Sequence, residues 1–280
     1  MKPILVFQTD FSYKEGAVCA MYGVIKSVDR ELEIIDGTHE IPRFDTWSAS
    51  YRLYQSMSFW PKGTIFVSVV DPGVGTSRKA SVAATEDGYF IATPDNGSLT
   101  HVKQWMGIRE IREIDEEVNR LKGKNTEAVS VFHGRDLFSY CAARLASGKI
   151  TYEQVGPAYP VDDIVTHPIQ EPTFGEDEVS AIFEINDPHF GNLWTNIPTQ
   201  QFLDAGFAYG DRPLLTIEHA DETVFSQRVL FDPSFGYAQK GDVMLYNNEL
   251  MRVAVAVNQG SFSEDYDIGY GPDWLIRITK

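Results

Sequence analysis

Residues 157–177 read PAYPVDDIVTHPIQEPTFGED, with four prolines and no sustained hydrophobic period. So many prolines suit neither a helix interior nor a central strand. The stretch reads as a linker, and the chain is patterned differently on its two sides. Before it, short apolar runs alternate with helical periods. ILVFQ (4–8), LEIID (32–36) and TIFVSVV (64–70) suit buried parallel strands, and segments 15–29 and 45–59 between them suit helices. ASVAAT (80–85) and YFIAT (89–93) flank the turn Glu86-Asp87-Gly88 as a hairpin, and helices are expected near 97–106 and 135–148. After it come strand-like runs at 179–185, 214–218, 223–230, 242–246 and 252–257, with one short helix near 199–205. The expected architecture is an α/β N-terminal domain (1–157) with a central, mostly parallel sheet. A linker (158–177) and a smaller all-β, barrel-like C-terminal domain (178–280) follow.

Composition narrows the function. Lys and Arg number 24 against 40 Asp and Glu, a formal net charge of −16. That balance opposes nucleic-acid binding, which needs clustered positive charge. It leans, weakly, towards a neutral or cationic small ligand. The apolar run at Ile4–Phe7 is too short for a signal-peptide core or a membrane span, so a cytoplasmic protein without a membrane partner is expected. Cys19 and Cys141 lie in apolar, helix-like contexts without metal-ligand spacing. They read as small buried hydrophobes, and no metal is expected.

Polar chemistry collects where strands end. Ligands of open α/β sheets bind beyond the carboxyl ends of the strands. QTD (8–10), VDPGVGTSR (70–78) and TPDNG (93–97) each close an expected strand, and VFHGRD (131–136) sets His133 and Arg135 before a helix. A lone Asp in such a place is most often a turn residue; four such ends on one sheet edge favour a site. VDPGVGTSR lacks both GxxxxGK[ST] and GxGxxG spacing. A bland turn would explain Pro72 and two glycines, but not Asp71 and Arg78 together. In the second half, NDPHFGNLWTN (186–196) offers aromatic faces and an amide that suit a purine. An Asx-turn with core aromatics would explain that segment alone equally well.

The ordered set FQTDF, VDPGVGTSR, PDNG, FHGRD, DPHFGNLWTN and YNNELMRVAVAVNQGSF spans nearly the whole chain. It resembles the adenosine-forming S-adenosylmethionine (SAM) hydrolases, relatives of the SAM-dependent fluorinases and chlorinases. The resemblance implies hydrolysis of SAM to adenosine and L-methionine, SAM being a substrate and no cofactor being needed. It also implies a homotrimer whose sites lie between one subunit's N-terminal domain and a neighbour's C-terminal domain. Asp71, Arg78 and His133 match the trio associated with the attacking water. Halogenases carry Tyr where Asp71 stands and a Ser near the His133-Gly134 segment. Fluorinases add a long insertion before the PDNG-like segment, which the short hairpin here lacks.

Binding roles follow from the same resemblance. Asp10 matches the ribose-hydroxyl carboxylate. Phe44, rather than Trp47, matches an aromatic along the ribose. Asp187 matches the methionine-contacting carboxylate. Asn192 matches the adenine reader, with Phe190 and Trp194 as walls. Tyr246, Asn248 and Glu249 align with a segment holding adenosine or methionine, although Asn248-Glu249 stands where relatives commonly show Ser. Val257 and Gln259 align with backbone contacts to the adenine edge. Two other readings are compatible with the sequence: a SAM-dependent halogenase, or a non-catalytic adenosine or SAM binder. Products formed from SAM with and without halide separate all three.

Overall fold

The computed structural model describes residues 2–123 and 131–280. It divides into two compact units, 1–167 and 168–280. In the first, chain order is β1 (Leu5–Thr9), α1 (Ala17–Val28), β2 (Ile34–Thr38), α2 (Thr46–Met57), β3 (Ile65–Val69), β4 (Ala80–Thr85), β5 (Phe90–Pro94), α3 (Thr100–Trp105), β6 (Ile108–Glu113) and α4 (Glu116–Asn119). A widened π-type turn, Gly134–Ser139, then runs into α5 (Tyr140–Ala146), and β7 (Ala158–Tyr159) closes the sheet. The strand order is β2-β1-β3-β5-β4-β6-β7. Strands β2, β1, β3 and β5 pair in parallel, whereas β4, β6 and β7 are added antiparallel. The sheet is therefore mixed, its parallel half holding the N-terminal strands.

The side-chain alternation of the strands explains the layers. Leu5 and Phe7 of β1, with Val67 and Val69 of β3, pack with Met21 and Ile25 of α1 and with Leu137, Phe138 and Cys141. Val6 and Phe66 point the other way, against Leu53 and Met57 of α2 and Val102 of α3. Both faces are covered, so β1 and β3 are buried throughout. Each such side chain contributes about 1.5–3 kcal/mol by leaving water. Connections from β1 through α1 to β2, and from β2 through α2 to β3, leave β1 with neighbours on opposite sides. The carboxyl ends of β1 and β3 thus form a topological switch point, the crevice where such sheets bind ligands.

Residues 158–167 fall within the stretch read as linker. In the structure β7 pairs with β6, and Ile164 is buried in the first unit's core. Cys141 is buried as expected, but Cys19 is exposed, on the solvent side of α1. Its helix buries Val18, Met21, Val24 and Ile25, and position 19 lies off that stripe.

The second unit continues with β8 (Thr173–Phe174), β9 (Glu178–Asp187), β10 (Asn192–Pro198), α6 (Thr199–Asp204), β11 (Leu214–His219), β12 (Glu222–Arg228), β13 (Leu230–Phe231), β14 (Val243–Asn247), β15 (Arg252–Val257), α7 (Phe262–Tyr266) and β16 (Gly271–Thr279). It is a nearly closed, barrel-like sheet in the order β12-β11-β16-β9-β10-β15-β14-β13, with β8 beside β9. Its interior holds Phe183, Leu193, Phe202, Phe231, Val255 and Phe262.

Candidate active site

Register places the first two carboxylates. Thr9, the last residue of β1, pairs with Val69 of β3, so Asp10 and Asp71 leave the sheet side by side. The loop after β3 bends back within eight residues. Gly75 takes φ +78°, a conformation costly to any residue with a Cβ. The turn brings Arg78 back onto Asp71. Its Nε donates to Oδ1 at 2.9 Å and to Oδ2 at 3.1 Å, and Nη2 donates to Oδ2 as well. The two side chains are 8% and 6% exposed, so the pair is nearly desolvated.

The same Nη2 reaches Nδ1 of His133 at 2.8 Å. A guanidinium has only donors, so Nδ1 is the acceptor and the neutral imidazole carries its proton on Nε2. Burial, and then the charge of Arg78, holds His133 below the ordinary histidine value. The three residues form a chain, Asp71–Arg78–His133, with the arginine in the middle. Arg78 also lies over the Phe138 ring, 5.4 Å from its centroid. The π-type turn begins directly after His133, where Ser139 Oγ caps the Gly134 carbonyl at 2.7 Å. Arg135, in the same motif, turns away and pairs with Asp136.

Two adjoining cavities open here. One, of about 260 Å³, is lined by Phe11, Val69, Asp71, Val74, His133 and Gly134 among others. The other, of about 500 Å³, is lined by Asp10, Phe11, Arg43, Phe44 and Asp71. Glu15 lines both and has no place in the sequence reading. Asp10 Oδ2 accepts the Phe44 N–H at 2.9 Å, which holds Phe44 at φ +65° with its ring 68% exposed. Burial raises the Asp10 carboxyl above its usual range, against that bond, and the Asp71 charge adds to the rise. Trp47 is buried against His101 and His167, away from these cavities' linings.

The loop bearing Asp10 is braced from behind. His39 Nδ1 meets Thr9 Oγ1 at 2.8 Å, and its Nε2 meets Tyr22 Oη at 2.9 Å. Thr9 Oγ1 in turn accepts the Phe11 N–H at 3.1 Å. His39 escapes a motif search because its helpers are scattered through the chain.

In the second unit, β9 and β10 form an antiparallel hairpin, with Asn192 opposite Asp187. Gly191 makes the turn at φ +70°, and a Cβ there would lie 1.9 Å from Ser261 Oγ. Trp194 Nε1 donates to Tyr246 Oη at 3.2 Å. Burial pushes the Tyr246 hydroxyl up to about 12; bonds with Trp194 and Asn192 oppose the shift, and the charges of Asp187 and Glu249 reinforce it. Asp187, Asn192, Trp194, Tyr246 and Glu249 therefore share one neighbourhood. Phe190 projects from the turn, 62% exposed. Asn248 is buried and builds its own turn, its Oδ1 accepting the N–H groups of Leu250 and Arg252 at 2.9 Å each. Val257 ends β15 inside the barrel, and Gln259 follows at φ +58°. Phe235, absent from the sequence reading, packs on Tyr246 with centroids 4.8 Å apart.

Among the described residues, no cluster of three or more His, Cys, Asp or Glu is placed to hold a metal, and no helix is long and apolar enough to cross a membrane.

Comparison with known proteins supplies the lineage. The (R)-S-adenosyl-L-methionine hydrolase of Salinispora tropica is 31% identical over 99% of this chain and 98% of its own. That of Methanocaldococcus jannaschii is 30% identical over 88% of this chain and 85% of its own. A fluorinase from Actinopolyspora mzabensis is 25% identical over 100% of this chain and 98% of its own. The crystal structure of an uncharacterized conserved protein from Thermotoga maritima superposes with a TM-score of 0.86 at 33% identity, covering 99% of this chain and all of that one. Residues 5–156 match the N-terminal domain, and 183–275 the C-terminal domain, of SAM hydroxide adenosyltransferase. The chain belongs to the SAM hydroxide adenosyltransferase family.

Proposed function

We propose that this protein hydrolyses S-adenosyl-L-methionine to adenosine and L-methionine, without a cofactor, by attack of water or hydroxide on ribose C5′. The observation that carries the reading is the nearly desolvated chain Asp71–Arg78–His133, set beside Asp10 at the switch point. The new bond joins the water oxygen to C5′. The C5′–S bond breaks and its electron pair returns to sulfur, turning the sulfonium into the neutral thioether of methionine. The leaving group needs no protonation; the difficulty lies in aligning a weak nucleophile and removing its proton. Nδ1 of His133 is occupied by Arg78, whereas Asp71 Oδ1 accepts one bond and keeps a lone pair for the water. Asp71 is accordingly the proton's acceptor, Arg78 holds that carboxylate in line, and His133 holds Arg78. A halide would meet the Asp71 charge and, unlike water, has no proton to give that carboxylate, which favours water as the nucleophile.

Asp10 grips the ribose hydroxyls with Phe44 along the sugar. Asp187 suits the methionine ammonium, Asn192 and Trp194 the adenine, and Tyr246 and Glu249 border the same ligand. In this reading the protein works in the cytoplasm as a homotrimer, a neighbour's second unit completing each first-unit cleft. An active species of one chain mass, 31.5 kDa, in light scattering would refute the trimer.

The deciding experiment incubates the protein with each sulfonium epimer of SAM in ¹⁸O-water, with and without chloride or fluoride. Equal amounts of methionine and 5′-labelled adenosine, unaffected by halide, are expected. A 5′-halo product would move the protein to the halogenases, and tight binding without turnover would leave a binding protein.

A further inference from the structure

The PDNG motif (94–97) ends β5 and lines neither cavity, so the chemistry above leaves it without a task. We propose that Asp95 and Asn96 are positioning residues that fix the reach between Asp71 and Arg78 by clamping both feet of the loop that carries them. The proposal rests on the hydrolase reading for its kinetic consequence, though not for its geometry.

The loop leaves β3 through Val70 and re-enters the sheet through Lys79. Asn96 Nδ2 donates to the Val70 carbonyl at 3.0 Å, one residue before Asp71. Asp95 N–H donates to the Lys79 carbonyl at 2.9 Å, one residue after Arg78. Two consecutive residues therefore grip the two feet. Neither can turn aside. Ser98 Oγ donates to Asn96 Oδ1 at 2.7 Å, which orients the amide with its NH₂ towards Val70. The Asp95 side chain is 5% exposed; Oδ1 accepts Val165 N–H and Oδ2 accepts Tyr159 hydroxyl, both at 2.9 Å. Tyr159 Oη also meets Ser81 Oγ at 2.8 Å, just inside β4, and its ring lies 3.8 Å beneath Lys79 Nζ.

Within the loop the bonds are local, from Val74 N–H to Asp71 and from Thr76 to Gly73. Such turns shape the loop without anchoring it. Beside the bond from Arg78 to His133, the loop's reference outside itself is the PDNG clamp, which is in turn tied to the last residues of the first unit. A fork between Arg and carboxylate tolerates little displacement, and an error near 1 Å in a reacting group costs about 10²-fold in rate.

The test uses the full-length protein. Asn96→Ala should lower kcat by roughly 10–100-fold while KM for SAM stays within about 3-fold, because Asp10 keeps its own support. Asp95→Asn, which still accepts from Val165 and can pair with the Tyr159 hydroxyl, should retain most of kcat; Asp95→Ala should not. Tyr152→Phe removes a buried hydroxyl bonded to Val82 and Glu110 carbonyls elsewhere in the unit. It should lower the melting temperature and leave kcat alone. A readout free of turnover is the NMR titration of His133. In Asn96→Ala, Arg78 loses its placement and the His133 midpoint should climb towards the ordinary value. Wild-type kcat together with an unmoved His133 midpoint in Asn96→Ala would overturn the clamp. So would a kcat loss matched by Tyr152→Phe at equal thermal cost. If the wild type turned over no SAM, the hydrolase reading would fall, and the titration would still decide the clamp.

Discussion

Two histidines of the first unit are buried almost alike, His133 at 4% and His101 at 0% exposure, yet their surroundings give them opposite tasks. His133 has a guanidinium on Nδ1 and lines a cavity beside a carboxylate. His101 sits edge-on to Trp47 and Tyr51, at 4.5 and 5.2 Å, and neither of its ring nitrogens has a hydrogen-bond partner. Burial, with His167 adding to it, pushes His101 down to about 3. Burial lowers both residues; what differs is the partner. A charged donor ties one ring to the Asp71 carboxylate at the cavity, the placement that the hydrolase reading needs, whereas aromatic edges make the other a packing group. Histidine burial by itself therefore says nothing about function.

The largest effect should separate the two regions outright. Asp71→Asn keeps volume and an acceptor for Arg78 but removes the charge. Turnover should fall by roughly 10²–10⁴-fold with KM for SAM nearly unchanged. His133→Ala should cost a comparable factor, and the double variant less than the product of the two, since the chain acts as a unit. His101→Phe should leave kcat untouched. If Asp71→Asn turned over at the wild-type rate, Asp71 would be a turn residue and the contrast would collapse.

The second effect belongs to His101. Its folded value lies below the unfolded one, so between about 6.5 and 3 the unfolded chain binds the proton that the folded chain refuses. This contribution to stability is intact above pH 6.5 and falls by about 1.4 kcal/mol for each further unit of pH. Urea unfolding at pH 7.5 and 5.0 should show His101→Phe losing about 2 kcal/mol less than wild type. Equal losses would mean that His101 finds a partner on acidification.

Reading the sequence went furthest where chemistry is local. The parallel strands and their helices are legible from period alone, since continuous burial writes Val, Ile and Phe into 4–8 and 64–70. Strand β6 is not: IREIRE spaces its apolar residues three apart, so the period of a strand is missing even though Gly107 marks its start. Strand β16, GPDWLIRIT, opens with Gly and Pro, and β10, NLWTNIP, lacks a clean alternation because it is buried on both faces. For the site, Asp10, Asp71 and Arg78 are visible as polar breaks after strands. His39 and Phe235 are not, because their roles depend on partners elsewhere in the chain; the clamp residues show only as one more polar break, TPDNG, whose task depends on partners as far as 70 positions away. Cys19 lies outside the core for a simpler reason: one residue off a helical stripe faces water.

The third effect is about tenfold. If Asp10 grips the sugar as proposed, it does so before and during reaction alike, so Asp10→Ala should raise KM by about 10-fold and change kcat little. A fall in kcat without a change in KM would place Asp10 among the reacting groups instead.

The smallest effect tests why the two histidines differ. In the proposed mechanism the productive ring of His133 is neutral, its Nδ1 accepting from Arg78, and the folded value is depressed by burial and by that charge. The working form thus persists as pH falls past the usual histidine value and is lost only through the lowered one. An ordinary histidine would be about three-quarters protonated at pH 6, costing about fourfold in kcat. Wild-type kcat, measured at saturating SAM, should instead fall by less than that between pH 8 and 6. KM will weaken on its own schedule, because Asp10, raised by burial, discharges earlier than an ordinary carboxylate. In Arg78→Lys a single ammonium cannot fork across Asp71 and still reach His133. Its residual kcat should therefore acquire an acid limb nearer 6.5. A wild-type limb already at 6.5 would mean that Arg78 does not hold the ring, and that His133 resembles His101 in everything but its neighbours.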